Sequence, residues 1–307
     1  MGLRIRTNVA SLNAQRRLAD STSSLQDSSS KLASGKRINK AADDAAGLAI
    51  SSNLTADVRS LNQAKRNAND GVSLVQTAEG GLVETTSMLT RLRELAVQGA
   101  SDTVGQTERG FLDKEFVALK DEIDRIANAT EFNGTRLLIG ENDVGEEIAN
   151  PEGTFPLEVQ VGKDYYAESD DIENGNQVNI IKIDLNKLNA FTDGDGSLGI
   201  GASEDGTRVN SKEAAQDSIS KMDDALVQVS GYRAYLGSVQ NRLNSTISNL
   251  GVQTENLSAA NSRIQDTDFA SESAIYTSQK ILQQAGTSVL AQANSQPQIA
   301  LGLVNSL

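Results

Sequence analysis

The chain has 307 residues, 41 Asp and Glu against 28 Lys and Arg, a net charge of −13, only 4% aromatic residues, and no His, Cys or Trp. The missing types exclude a zinc site of the usual kind, a Ser-His-Asp triad, a thiol nucleophile and any disulfide. The acidic balance argues against duplex nucleic acid and against docking on anionic lipid, both of which call for basic patches.

No apolar run approaches the roughly 20 residues that cross a bilayer, and so few aromatics point to apolar surface buried in narrow seams. The opening "MGLRIRTNVASLNAQRRL" has basic residues but no continuous apolar stretch, so no cleavable secretory signal is expected. Leu18, Leu25 and Leu32 fall at intervals of seven and predict a first helix.

The next stretch, "LASGKRINKAADDAAGLAIS" (32–51), begins with a Gly-Lys step that mimics a phosphate loop. The mimicry fails, because such a loop needs a Gly five residues earlier, where Ser30 stands, and a Ser or Thr after the lysine, where Arg37 stands. Asp43 and Asp44 are neighbours and so point about 100° apart on a helix, which suits a helix start better than a convergent acid–base pair. Ala41, Ala42, Ala45, Ala46 and Gly47 are small enough for close approach of another backbone, so the stretch reads as a joint.

Beyond it, Leu54, Leu61, Ala68, Val75, Leu82 and Leu89 recur at sevens, with Val58 and Val72 on the neighbouring position. The run "TRLRELAVQG" (90–99) places Arg91 and Glu94 beside Leu92 and Leu95. "EFNGTRLL" (131–138) holds an Asn-Gly step between apolar flanks, a strong signal for a tight hairpin. Residues 140–207 are rich in Gly, Asp, Glu and Asn, and "PLEVQVG" and "VNIIKIDL" alternate as half-buried strands do. This segment is expected to be a small, β-containing, exposed insert. Its acidic groups, Asp193 with Asp195 and Asp170 with Asp171 and Glu173, lack the spacing of a calcium loop and read as solvated carboxylates. An enzyme with its active site in this insert is the distant alternative, without His, Cys or a metalloprotease motif to support it.

The C-terminal half answers with Met222, Val229, Leu236, Leu243, Leu250, Leu257 and Ile264, again at sevens. The interleaved position, Leu226, Arg233, Gln240, Ile247, Thr254 and Asn261, is only partly apolar. Strict sevens predict long helices that coil around one another; an ordinary helical bundle is the other reading. Ile275, Leu282 and Val289 form a last stripe, and from Phe269 onward only Glu272 and Lys280 are charged. A tail so poor in charge is too polar to span a membrane and too apolar to stay bare in water. The predicted class is mainly α, with long paired terminal helices forming coiled-coil rods and a small hairpin-containing central insert.

Several long motifs agree in order with one family. "NVASLNAQRRL", "LASGKRINKAADDAAGLAIS", "TRLRELAVQ" and "EFNGTRLL" closely resemble the N-terminal half of bacterial flagellins, and "NRLNSTISNL", "ENLSAANSRIQDTDFASESA" and "QKILQQAGTSVLAQANSQPQ" resemble their C-terminal half. The resemblance implies an inner terminal coiled-coil domain of residues 1–40 and 270–307, an outer rod of 41–139 and 208–269 with a spoke at 32–46, and a variable surface insert at 140–207. It implies a non-enzymatic subunit, without cofactor, that self-assembles into the flagellar filament and leaves through the flagellar secretion channel. The related alternative is a hook–filament junction protein. Expected partners are copies of the same chain, an export chaperone, the cap and the hook-junction proteins.

By the same resemblance Leu18, Leu25, Leu32, Ile275, Leu282 and Val289 are a subunit-packing seam. Leu54, Leu61, Val75, Leu82, Leu89, Leu236, Leu243, Leu250 and Leu257 are the rod seam. Arg91, Glu94, Leu95 and Glu115 match a surface of flagellins read by an animal innate immune receptor, with Leu92 where Val is common. The C-terminus "IALGLVNSL" departs from the leucine-rich, Arg-ending tail read by cytosolic sensors.

Overall fold

The structure is a computed structural model and describes residues 7–140, 155–164, 178–186, 188–193, 196–201 and 206–305, with side chains to residue 296. Asp170, Asp171, Glu173 and Asp195 lie outside the described residues. Among the described residues five helices carry the fold: α1 (Val9–Ser34), α2 (Ala45–Gly99), α3 (Gln106–Ala129), α4 (Lys212–Gln265) and α5 (Phe269–Asn305). The strands are β1 (Glu131–Phe132), β2 (Thr135–Arg136), β3 (Leu157–Gln160) and β4 (Ile180–Ile183). At 1.5 Å per residue α2 alone is about 80 Å long. Helix α5 continues past Pro297.

The chain divides into two compact units, one of residues 1–58 and 255–307, the other of 59–254. In the first, α1 lies along α5. Asn8 caps α1 by accepting from the Ser11 amide at 3.1 Å, and Gly35 ends it in the left-handed region at φ 70°. The two helices do not meet through their two apolar stripes. Leu18, Leu25 and Leu32 are half-buried, but Ile275, Leu282 and Val289 are exposed by 45%, 54% and 58%.

Helix α5 instead turns toward α1 a face one position round, with Gln279, Gln283, Gly286 and Ala293. Ser21 Oγ donates to the Gln279 carbonyl at 3.2 Å, Gln283 Nε2 to Thr22 Oγ1 at 3.3 Å, and Asn8 Nδ2 to the Ala293 carbonyl at 2.8 Å. A Cβ on Gly286 would sit 3.3 Å from Leu18 Cδ1. Small and hydrogen-bonding residues let these helices close up on each other. The larger apolar side chains are left outward.

In the second unit the rod seam is the core. Leu61, Val75, Leu82 and Leu89 of α2 and Met222, Val229, Leu236 and Leu243 of α4 are at most 3% exposed. Leu250 is also buried, while Leu54 and Leu257, both in the first unit, are half-buried. Helix α2 ends at Gly99, where the run of apolar sevens has already stopped, and residues 100–105 turn the chain. Arg109 stitches the turn by donating to the carbonyls of Gly99, the last residue of α2 (2.8 Å), and Ser101 (2.9 Å). Helix α3 then doubles back and adds Phe116, Ile123 and Ala127 to the core.

The β1–β2 hairpin forms at the Asn-Gly step, with Asn133 at φ 52° and Gly134 at φ 78°, the paired positive angles that a two-residue hairpin turn requires. β3 pairs antiparallel with β4, Leu157 opposite Ile183 and Gln160 opposite Ile180. The insert departs from the expectation of an exposed appendage. Ile181, Ile183, Leu185, Leu188, Phe191, Leu198 and Ile200 all join the same core as α2, α3 and α4. β4 is buried at Ile180, Ile181 and Ile183, so its strand pattern is not a simple alternation, and Val178 stands outside the strand and 79% exposed.

Candidate interaction surfaces

No pocket of the described residues combines enclosure with chemically convergent groups, and none of them form a cluster of three or more His, Cys, Asp or Glu able to hold a metal ion. Among them, no helix is long and apolar enough to cross a membrane. The features that stand out are surfaces. They are a cross-braced joint, an uncharged apolar stripe and a charged triad.

The joint occupies residues 35–44, between α1 and α2. Asp44 is the N-cap of α2, accepting from the Gly47 amide at 2.8 Å. Asp43 turns the other way and accepts from the amides of Asn39 and Lys40, each at 2.9 Å. Those Lys40 and Asn39 amide bonds hold its carboxyl below the usual range. The adjacent carboxylates thus diverge into two separate caps.

Ile38, 2% exposed, folds over Gly47, where a Cβ would come within 2.7 Å of its Cδ1. The second chain passage breaks beside the first. Lys36 bridges antiparallel to Asp266, the Arg37 amide donates to the Gln265 carbonyl at 2.7 Å, and the Thr267 amide donates to the Gly35 carbonyl at 3.1 Å. The Arg37 guanidinium donates to the Ile264 carbonyl at 3.2 and 2.7 Å, satisfying an oxygen at the end of α4. The sequence marked the joint but not Arg37, whose partner lies 227 residues away.

On α5, Ile275, Leu282 and Val289 form one exposed stripe, and Phe269 and Ile281 are bare elsewhere round the same helix, all exposed by 45 to 66%. With only Glu272 and Lys280 charged after residue 268, this stripe has almost no electrostatic protection. Phe269 and Ile281 escaped the heptad reading because they sit off its phase. On α1, Val9 and Leu12 are likewise exposed.

The triad joins α2 to α3. Arg91 donates to Glu115 Oε1 from Nε (3.0 Å) and Nη2 (2.8 Å), and to Glu94 Oε2 from Nη1 (3.0 Å). Glu115 first and Glu94 second raise the already high pKa of Arg91. All three side chains are about half exposed. Leu95 is 1% exposed and belongs to the core beneath them, which corrects its place in a solvent-facing surface.

The family description "Bacterial flagellin N-terminal helical region" matches residues 5–143, and "Bacterial flagellin C-terminal helical region" matches residues 219–304. The flagellin of Bacillus subtilis (strain 168) is 42% identical over 318 residues, covering 98% of this chain and 100% of the relative. The chain belongs to the bacterial flagellin family. Flagellin C of Vibrio cholerae is 37% identical over 377 residues, covering 99% of this chain and all of that protein. A solved structure from Vibrio parahaemolyticus, assigned to a flagellar hook-associated protein, superposes with a TM-score of 0.53 over 73% of this chain at 16% identity, which shows a shared fold and no more. Full-length identity thus lies with named flagellins. This flagellin is a structural subunit of the bacterial flagellar filament, and the hook-junction reading gains no comparable support.

Proposed function

We propose that the outward stripe of α5, with Val9 and Leu12 of α1, is the surface through which this flagellin packs against neighbouring copies in the filament wall. Leu18, Leu25 and Leu32, held half-buried against α5, set the spacing of the pair that presents it. The observation that carries the reading is a run of exposed apolar side chains on a helix almost devoid of charge, a face that a single chain leaves unburied. Head-to-tail packing that does not close on itself then yields a tube. The inner domain is residues 1–40 and 270–307, the rod 41–139 and 208–269, and the spoke 32–46.

Before assembly the same stripe needs cover, a role that falls to an export chaperone during passage through the flagellar secretion channel. The cap and hook-junction proteins are the partners at the two filament ends. Arg91, Glu94 and Glu115, on their Leu95 support, form the face offered to an innate immune receptor. No catalytic role is assigned to any residue. Negative-stain electron microscopy of purified subunit with filament seeds, beside a chain trimmed to residues 41–269, tests the reading. Tubes from the intact chain alone support it, and tubes from the trimmed chain overturn it.

A further inference from the structure

The unit of residues 59–254 carries 18 Lys and Arg against 32 Asp and Glu, a net charge of −14, and the charge is unevenly placed. Residues 59–69 of α2 and 240–254 of α4 hold Arg59, Lys65, Arg66 and Arg242 and no Asp or Glu. The two stretches lie side by side. Arg93 meets Asp223, and a Cβ on Gly71 would sit 3.4 Å from Leu243 Cδ1, so the helices run antiparallel and continue together from that level. Elsewhere in the unit, cations are engaged by carboxylates of their own chain. Arg91 pairs with Glu115, Arg93 with Asp223, Arg125 with Glu122, Lys182 with Glu158 and Lys212 with Asp102, at 2.6 to 3.0 Å. In this collar none of the four cations has an ion-pair partner among the described residues. Arg66 donates instead to the neutral Gln63 Oε1, from Nε at 3.1 Å.

Arg242 also stands at the rim of an apolar groove of about 430 Å³ between α4 and the β3–β4 hairpin. The buried Val161 and Ile181 form its floor, Ser245 lines it beside the arginine, and the bare Val178 overhangs it. A partner that brings carboxylates and apolar groups together covers both the unpaired guanidinium and the exposed valine.

We propose that this collar is a docking surface for a second copy of the chain, which packs the carboxylate-rich remainder of its own 59–254 unit against it. The contact rests on the head-to-tail packing proposed above. Outside the collar the unit holds all 32 of its Asp and Glu against the other 14 Lys and Arg. Bodies of that charge repel one another when crowded into a wall. At the collar the repulsion reverses, because its cations meet the neighbour's carboxylates without first breaking ion pairs of their own. One end of a unit is thus complementary to the body of the next, a contact that repeats without closing. Collar against collar is repulsive, which fixes the polarity of addition.

Seeded growth of the full-length chain tests this. Arg66→Glu with Arg242→Glu alters two exposed side chains and keeps the α5 stripe, with circular dichroism of the monomer as folding control. Its critical concentration is expected to rise roughly tenfold at low salt, and the difference to shrink toward about 1 M salt, where screening acts within about 3 Å. Lys114→Glu with Lys221→Glu makes the same change of charge outside the collar and is expected to stay within about twofold of native. A second readout keeps the charge. Filaments grown from isotope-labelled and unlabelled chains carrying Arg242→Lys are treated with a zero-length carbodiimide. The new amine is expected to join an Asp or Glu between residues 70 and 224 of the other copy. Native growth of the collar variant, an equal effect of the control variant, or cross-links confined to single chains overturns the proposal. Native growth of the collar variant beside failed growth of Leu282→Gln, Val289→Gln overturns it while leaving the α5 reading in place.

Discussion

Gly47 shows how one position fixes the joint. A Cβ there would come within 2.5 Å of Asp44 Oδ2 and 2.7 Å of Ile38 Cδ1. Gly47→Ala therefore has to displace the cap of α2 or the one apolar side chain buried beside it, at about 1 kcal/mol. The expected result is roughly tenfold faster hydrogen exchange over residues 47–50, with the core of residues 59–254 unchanged. Asp113 acts at the other unit. Burial tends to raise its carboxyl, but Arg208 and the Val209 amide outweigh that and hold it below 3.8. A lowered carboxyl contributes stability above its unfolded pKa and loses it as pH falls through the folded one. Asp113→Asn is accordingly expected to cost about 2 kcal/mol at neutral pH, and to cost less as urea unfolding is repeated from pH 5 down toward pH 3.

At the scale of elements, burial grades the heptads. Leu82, 0% exposed, is a core residue, and Leu82→Ala is expected to cost about 3 kcal/mol in urea unfolding, against about 1 kcal/mol for the half-buried Leu257→Ala. Equal costs at the two positions would show that the seam is not packed as described. The period of seven was enough to reveal α2 and α4, since burial along one face is what the sequence pattern encodes. The hairpin at Asn133-Gly134 was legible because its turn chemistry is local. The insert was misread as an exposed appendage for the opposite reason. Ile183, Leu185 and Leu198 are buried by elements distant in sequence, and a polar composition hides the few side chains that dock. Arg37 was invisible too, since it is defined by a carbonyl far along the chain.

At the scale of the molecule, what matters is the surface left over once a single chain has folded. Helix α5 spends its small and polar face on α1 and leaves Ile275, Leu282 and Val289 bare. The sequence supplied those three residues but not their direction, because a heptad stripe does not say which of two possible neighbours covers it. The triad on α2 and α3 belongs to the unit of residues 59–254. Arg91→Ala frees Glu115 and Glu94 at exposed positions, so the midpoint of thermal unfolding is expected to stay near the native value while binding to an immune-receptor ectodomain falls. A large loss of stability with unchanged binding would remove the triad from the interface.

The central claim is that the outward face of α5 joins subunits. The most direct measurement is the critical concentration for seeded filament growth of the native chain and of the double variant Leu282→Gln, Val289→Gln, with far-ultraviolet circular dichroism of both monomers as the folding control. The account predicts unchanged monomer helicity and a critical concentration raised at least tenfold, or no filaments at all. Filaments growing from the variant at the native critical concentration would contradict it.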